Sequence, residues 1–92
     1  MNAELKKQFL IQEDIAFLNF GSFGACARPV FERYQQYQLE MEEEPLHFMM
    51  EKGLAYLKQA REALAKFINC HADDVVYVTN PSYGVNIIAK SF

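Results

Sequence analysis

The strongest constraint on the fold is a continuous run at residues 75–79, where every side chain is β-branched or aromatic. Such residues favour strands. A run that does not alternate between apolar and polar residues is typical of a strand covered on both faces, as in a parallel sheet flanked by helices. One strand cannot form a sheet, and its partner strands are not found in this sequence. The run therefore predicts part of an α/β fold.

Two amphipathic helices are predicted before the strand. The first opens at Arg28-Pro29, because proline is tolerated in a first helical turn, and it ends before Pro45. The second covers about residues 46–69, and Gly53 weakens it by about 1 kcal/mol relative to alanine. The apolar residues that define their faces recur at helical spacing: Val30, Tyr34, Tyr37 and Met41 in the first helix, and Met50, Leu54, Leu57, Leu64 and Ile68 in the second.

Length and composition exclude several kinds of protein. The 92 residues correspond to a single partial domain, predicted as an arm and site-lining segment at 1–27 followed by helices, strand and turn at 28–92. A net charge of -3 leaves no basic surface for nucleic acid. No apolar run approaches the roughly 20 residues that a membrane helix needs, and no signal peptide is recognisable, so a cytoplasmic protein is expected.

Histidine and cysteine do not predict a metal site. Cys26 and Cys70 are far apart and are interpreted as reduced thiols. Together with His47 and His71 they lack the close ligand spacing of a structural zinc motif.

The turn at residues 80–84, with the sequence Asn-Pro-Ser-Tyr-Gly, follows the predicted strand and opens a third helix. A helix N-terminus presents unpaired N–H groups and the positive end of the helix dipole, which together suit a phosphate group. Ser82 and Tyr83 add hydroxyl donors, and Gly84 permits close approach. A plain N-cap explains the same residue types equally well, so both interpretations stay open.

A second unusual segment lies at residues 15–27. It has three phenylalanines, Phe17, Phe20 and Phe23, close to the glycines Gly21 and Gly24. Glycine lets a backbone approach another surface closely, so this segment is expected to lie against a ligand or another part of a protein.

The two segments together resemble a known family. Residues 17–26 (FLNFGSFGAC), the following Arg-Pro-Val at 28–30, the stretch REALAKF at 61–67 and DDVVYVTN at 73–80 are similar in order to the beginning of class V aminotransferases of the isopenicillin N epimerase-like group. The resemblance extends over about residues 15–92.

The resemblance implies a fold-type-I, pyridoxal-phosphate-dependent enzyme that acts on an amino acid and forms a homodimer. It assigns the cofactor phosphate to Ser82, Tyr83 and Gly84. The substrate side of the site would be lined by Asn19, Phe20, Gly21 and Ser22. Three residues depart from the usual pattern of the group, which has histidine, a small residue and threonine at the positions of Phe20, Pro81 and Tyr83.

The Schiff-base lysine of the family would lie beyond residue 92. The lysines present here fall on polar helix faces, in the arm, or at Lys90, a position that the family does not use. The resemblance therefore predicts the inactive N-terminal portion of an enzyme, with no catalytic residue of its own. The alternative is a small helical protein–protein interaction module without a cofactor, which the short length and the amphipathic helices also fit.

Overall fold

The computed structural model describes residues 3–92, which form two compact units, one up to Phe48 and the other from Met49 to Phe92. Helices account for most of the regular structure in this range, with a π-helical turn at Phe48–Lys52 and a 3₁₀ turn at Ala72–Asp74. The α-helices in chain order are α1 (Ala3–Lys6), α2 (Arg28–Glu43), α3 (Pro45–His47), α4 (Gly53–Ile68) and α5 (Pro81–Ser91).

In the first unit, the N-terminal arm is fastened to the start of α2. Phe9 and Ala27 form an isolated antiparallel bridge, and the Arg28 N–H donates to the Gln8 carbonyl at 2.6 Å. Helix α2 begins and ends where proline placement predicts. Pro29 stands in its first turn, and the backbone leaves the helix at Glu44 (φ -150°) just before Pro45 starts α3.

In the second unit, α4 ends on a left-handed residue. Asn69 has φ 60°, and the next N–H, that of Cys70, donates to the Ala65 carbonyl at 2.9 Å. Asparagine is one of the few side chains that adopts this conformation readily, so the sequence itself stops the helix. The 3₁₀ turn then packs against α4. Ala65, at 2% exposure, is the buried apolar residue of the described range.

The second predicted helix is observed with one irregularity. Residues 45–68 are helical throughout, but they divide into α3, the π-helical turn and α4. The change from π to α geometry falls at Gly53, the position whose low helix propensity weakened the prediction.

The predicted buried strand is not present. Val75 has an extended backbone (φ -106°, ψ 124°), but residues 75–78 form no strand and pair with none within the described range. Val76 and Tyr77 are 78% and 53% exposed. The physical reason is that a strand requires a neighbour for its N–H and C=O groups, and residues 3–92 supply none for this segment. The segment is instead held to α4 by the Tyr77 hydroxyl, which donates to the Leu57 carbonyl at 3.5 Å.

Candidate functional site

The turn before α5 is an N-cap formed by asparagine. Asn80 has an extended backbone, and its side-chain Oδ1 accepts the Tyr83 N–H at 2.8 Å. Its carbonyl accepts the Gly84 N–H at 3.2 Å, and Pro81 occupies the first helical position, where no N–H is needed. Asn80 is therefore an N-cap, and the cap uses one of the amides that the phosphate interpretation also requires. Whether this turn is a plain cap or also holds a phosphate stays a prediction.

Ser82 retains the donors that a bound anion would need. Neither its N–H nor its hydroxyl has a hydrogen-bond partner among residues 3–92, and its side chain is exposed. Tyr83 is 54% exposed. The first turn of α5 carries no acidic residue, so nothing there opposes the positive end of the helix dipole. The remaining donor set fits an oxyanion.

The position of Gly84 has room for a side chain, although a glycine there suggests that it has none. A Cβ atom built on it would lie 3.7 Å from Cγ2 of Val78, an ordinary van der Waals contact. The described structure therefore does not require glycine here. Its role in letting a phosphate approach stays a prediction.

The segment assigned to the substrate side forms a turn in the first unit. The Phe23 N–H donates to the Asn19 carbonyl at 3.4 Å, and Asn19, Gly21 and Ser22 are exposed. Apart from Gly21 and its two chain neighbours, no atom of the described residues lies within 4 Å of a Cβ built on Gly21. The close approach that this glycine predicts is thus not made within the described residues.

Phe20 belongs to an aromatic cluster with Phe9 and Phe17. Its ring meets theirs edge-on, at centroid separations of 6.0 Å and 4.9 Å and interplanar angles of 75° and 66°. This geometry is the favoured one for aromatic pairs. The side chain that replaces the histidine of the resembling group therefore packs against the N-terminal arm.

Three of the lysines make local contacts. The Lys6 ammonium donates to main-chain carbonyls, Lys7 pairs with Glu4 at 2.9 Å, and Lys58 pairs with Glu62 at 3.9 Å. The prediction that none of them is catalytic is not tested by these contacts. Within residues 3–92 no three His, Cys, Asp or Glu side chains come together as a possible metal site, and no helix there is long and apolar enough to span a membrane.

Sequence reasoning missed two polar arrangements in the first unit. The Arg28 side chain donates to carbonyls of the arm, and the His47 Nδ1 lies 2.9 Å from the Glu44 carboxylate. The spacing of Glu44 and His47, three residues apart across a helix start, is a signal that could have revealed the second pair. The first depends on the register between the arm and α2, which no local pattern encodes.

Comparison with known proteins shows the class of enzymes that this chain resembles. The similar proteins are two isopenicillin N epimerases and one sulfoxide lyase. Isopenicillin N epimerase of Streptomyces clavuligerus is 33% identical over 88 residues, a match that covers 96% of this chain and 22% of the relative. The epimerase of Amycolatopsis lactamdurans is 30% identical over 89 residues, covering 97% and 22%. Hercynylcysteine sulfoxide lyase of Schizosaccharomyces pombe is 26% identical over 90 residues, covering 97% and 23%.

These matches confirm the predicted resemblance to isopenicillin N epimerase-like proteins. The chain spans little more than a fifth of the length of each relative. No family model matches it, and neither does any solved structure.

Proposed function

We propose that this chain is the N-terminal portion of a pyridoxal-phosphate-dependent enzyme that acts on an amino acid by epimerisation, elimination or transamination. The observation that carries the proposal is the similarity of almost the whole chain to isopenicillin N epimerases. The same observation favours an enzyme over the interaction module. When bound, pyridoxal phosphate withdraws electrons from the carbon next to the substrate amino group. The family resemblance implies the fold-type-I architecture and a homodimer.

The turn before α5 is proposed to hold the cofactor phosphate. Its support is the donor set described above, namely the Ser82 N–H and hydroxyl and the hydroxyl of the exposed residue Tyr83. The first turn of the helix carries no acidic residue. Asn80 and Pro81 contribute indirectly, since the cap and the restricted proline ring hold the first turn in a helical conformation before any ligand binds.

The segment containing Asn19, Phe20, Gly21 and Ser22 is proposed to border the substrate. Asn19 and Ser22 can donate and accept hydrogen bonds, whereas Phe20 offers only an apolar ring. Because that ring already packs against Phe9 and Phe17, its contribution would be to shape the segment instead of hydrogen-bonding a substrate.

The reactive amine is proposed to come from polypeptide outside these residues. Further polypeptide would also account for the apolar side chains that stand exposed in each unit, such as Leu18 and Phe23 (90% and 82%) in the first and Phe67 (87%) in the second. A single large apolar side chain left in water forgoes about 1.5–3 kcal/mol that burial would supply.

The test is Ser82→Ala in the complete enzyme that contains this chain, with the dissociation constant of pyridoxal phosphate as the measurement. Loss of hydrogen bonds to a charged phosphate is expected to weaken binding about tenfold. Ser91→Ala is the matched control, because the Ser91 hydroxyl donates to the Ile87 carbonyl at the other end of the same helix, at 2.7 Å.

Two failures of this experiment mean different things. If the complete wild-type protein does not bind pyridoxal phosphate, the proposed enzyme class is wrong. If the wild type binds it and Ser82→Ala binds it equally well, the class stands and the assignment of the phosphate to this turn is wrong.

A further inference from the structure

A cavity in the first unit lies where the N-terminal arm meets the start of α2. We call it the arm cavity. Its volume is about 310 Å³, close to the lower limit of about 300 Å³ for pockets that hold small molecules. Apolar and charged side chains share its lining, among them Lys6, Lys7, Phe9, Ile11, Glu13 and Arg28.

Main-chain carbonyl groups, which are neutral, accept hydrogen bonds from two of the cations in this lining, Lys6 and Arg28. The Lys6 Nζ donates to the main-chain carbonyls of Glu13 and Ile15 at 2.6 Å and 2.8 Å. The Arg28 Nε and Nη2 donate to the carbonyls of Lys7 and Phe9, both at 3.4 Å. A carbonyl oxygen fixes the position of a cation but carries no net charge, so it leaves the positive charge without a counter-charge.

Carboxylates do not neutralise these two cations. Within residues 3–92, neither Lys6 nor Arg28 has a carboxylate oxygen in salt-bridge range, although Glu13 lines the same cavity. Lys7 differs, because its ammonium pairs with Glu4 at 2.9 Å. The cavity therefore has two positioned and uncompensated cations facing a single acidic residue.

Donors and helix polarity add to this positive potential. Lys6 keeps its third N–H, and Arg28 keeps the N–H groups of Nη1. Arg28 is also the first residue of α2, a 16-residue helix that has neither a capping side chain nor an acidic residue in its first turn. The positive end of the α2 dipole is thus unopposed beside the two cations.

We propose that the arm cavity binds a small oxyanion, a carboxylate or phosphate group, through Lys6 and Arg28. The apolar rings and chains of Phe9 and Ile11 form the rest of the wall, so an anion with a short apolar part fits better than a bare ion. The proposal does not depend on the proposed function, because none of these residues belongs to the turn before α5 or to the segment assigned to the substrate.

The test is a titration of the ¹⁵N-labelled 92-residue chain with sodium phosphate, with sodium chloride used to keep the ionic strength constant. The amide shifts of Gln8, Phe9 and Arg28 are expected to change along a saturable curve. Lys6→Gln is expected to weaken phosphate binding about tenfold, since it removes a charged donor. Lys90→Gln, in the last turn of α5, is the control and is expected to bind like the wild type.

A second variant tests the electrostatic argument without disturbing the arm. Glu13→Gln keeps the main-chain carbonyl that Lys6 uses and removes the opposing carboxylate. It is expected to tighten phosphate binding about fourfold, because it removes the repulsion between a carboxylate of charge -1 and a phosphate of charge about -1.5 at ~7 Å in water.

Three results would overturn the proposal. The first is a response to phosphate that does not saturate or that chloride reproduces. The second is equal binding by Lys6→Gln and Lys90→Gln, or binding by Glu13→Gln that is no tighter than that of the wild type. The third is absence of the nuclear Overhauser contact between Phe9 and Ala27, because the cavity exists only when the arm pairs with the residue before α2. Saturation with acetate as well as phosphate would identify a general oxyanion site.

Discussion

Replacing Asn80 separates the two tasks that the turn before α5 is expected to perform. Its side chain caps the helix by accepting the Tyr83 N–H at 2.8 Å. Asn80→Ala removes that acceptor and should destabilise α5 by about 1 kcal/mol. Asn80→Asp keeps an oxygen at the same place, and its negative charge at a helix N-terminus should stabilise α5 by a further 0.3–1 kcal/mol or so.

The affinity for the cofactor should rank Asn80→Asp and Asn80→Ala in the opposite order to their stability. A phosphate of charge about -2 at ~6 Å from a new aspartate is repelled by about 1.4 kcal/mol even at the dielectric constant of water, or about tenfold in affinity. Asn80→Ala adds no charge and frees the Tyr83 N–H for the ligand. We therefore expect Asn80→Asp to be the more stable variant and the weaker binder of pyridoxal phosphate.

The assay measures both quantities on the same proteins. Hydrogen exchange of the amides in the first turn of α5 reports its local stability, and a fluorescence titration of the complete enzyme reports the affinity for pyridoxal phosphate. If Asn80→Asp bound the cofactor as tightly as the wild type while remaining capped, the phosphate could not lie at this helix end. If Asn80→Ala left hydrogen exchange unchanged, the capping bond would contribute nothing to α5.

Two further substitutions test the local geometry of the second unit. Gly84→Ala should fold at least as stably as the wild type, because its Cβ would meet Val78 at an ordinary 3.7 Å. Higher helix propensity should add up to about 1 kcal/mol. A loss of stability in urea denaturation would refute this expectation. Asn69→Ala should destabilise the protein by about 1 kcal/mol, since alanine tolerates the left-handed φ of 60° poorly, whereas Asn69→Gly as the control should unfold at the wild-type urea concentration or above.

The helices were predictable because their signals are local. Pro29 and Pro45 bound α2, and apolar residues at helical spacing identify the bodies of α2 and α4. Asn80 and Pro81 likewise predict the start of α5, because asparagine and proline are favoured at a helix N-terminus. In each case, side chains within one or two turns decide the conformation.

The strand and the arm were not predictable in the same way, because both depend on partners distant in sequence. Residues 75–79 have strong strand propensity, but propensity supplies no partner for their backbone groups, and the segment forms no strand within the described range. The arm shows the reverse case. Phe9 pairs with Ala27 although neither residue lies in a run of strand-favouring residues, and the Arg28 side chain beside this bridge donates to the Phe9 carbonyl.

The cap and the phosphate site are compatible because they use different donors of one helix turn. Asn80 occupies the Tyr83 N–H, and the Asn80 carbonyl occupies the Gly84 N–H. Proline contributes no N–H at position 81, so the Ser82 N–H is the main-chain donor that this turn has left, with the Ser82 hydroxyl beside it. An anion at this end of α5 must therefore either bind chiefly through Ser82 or displace the Asn80 side chain. This choice makes Ser82 the residue on which the proposed phosphate contact depends most.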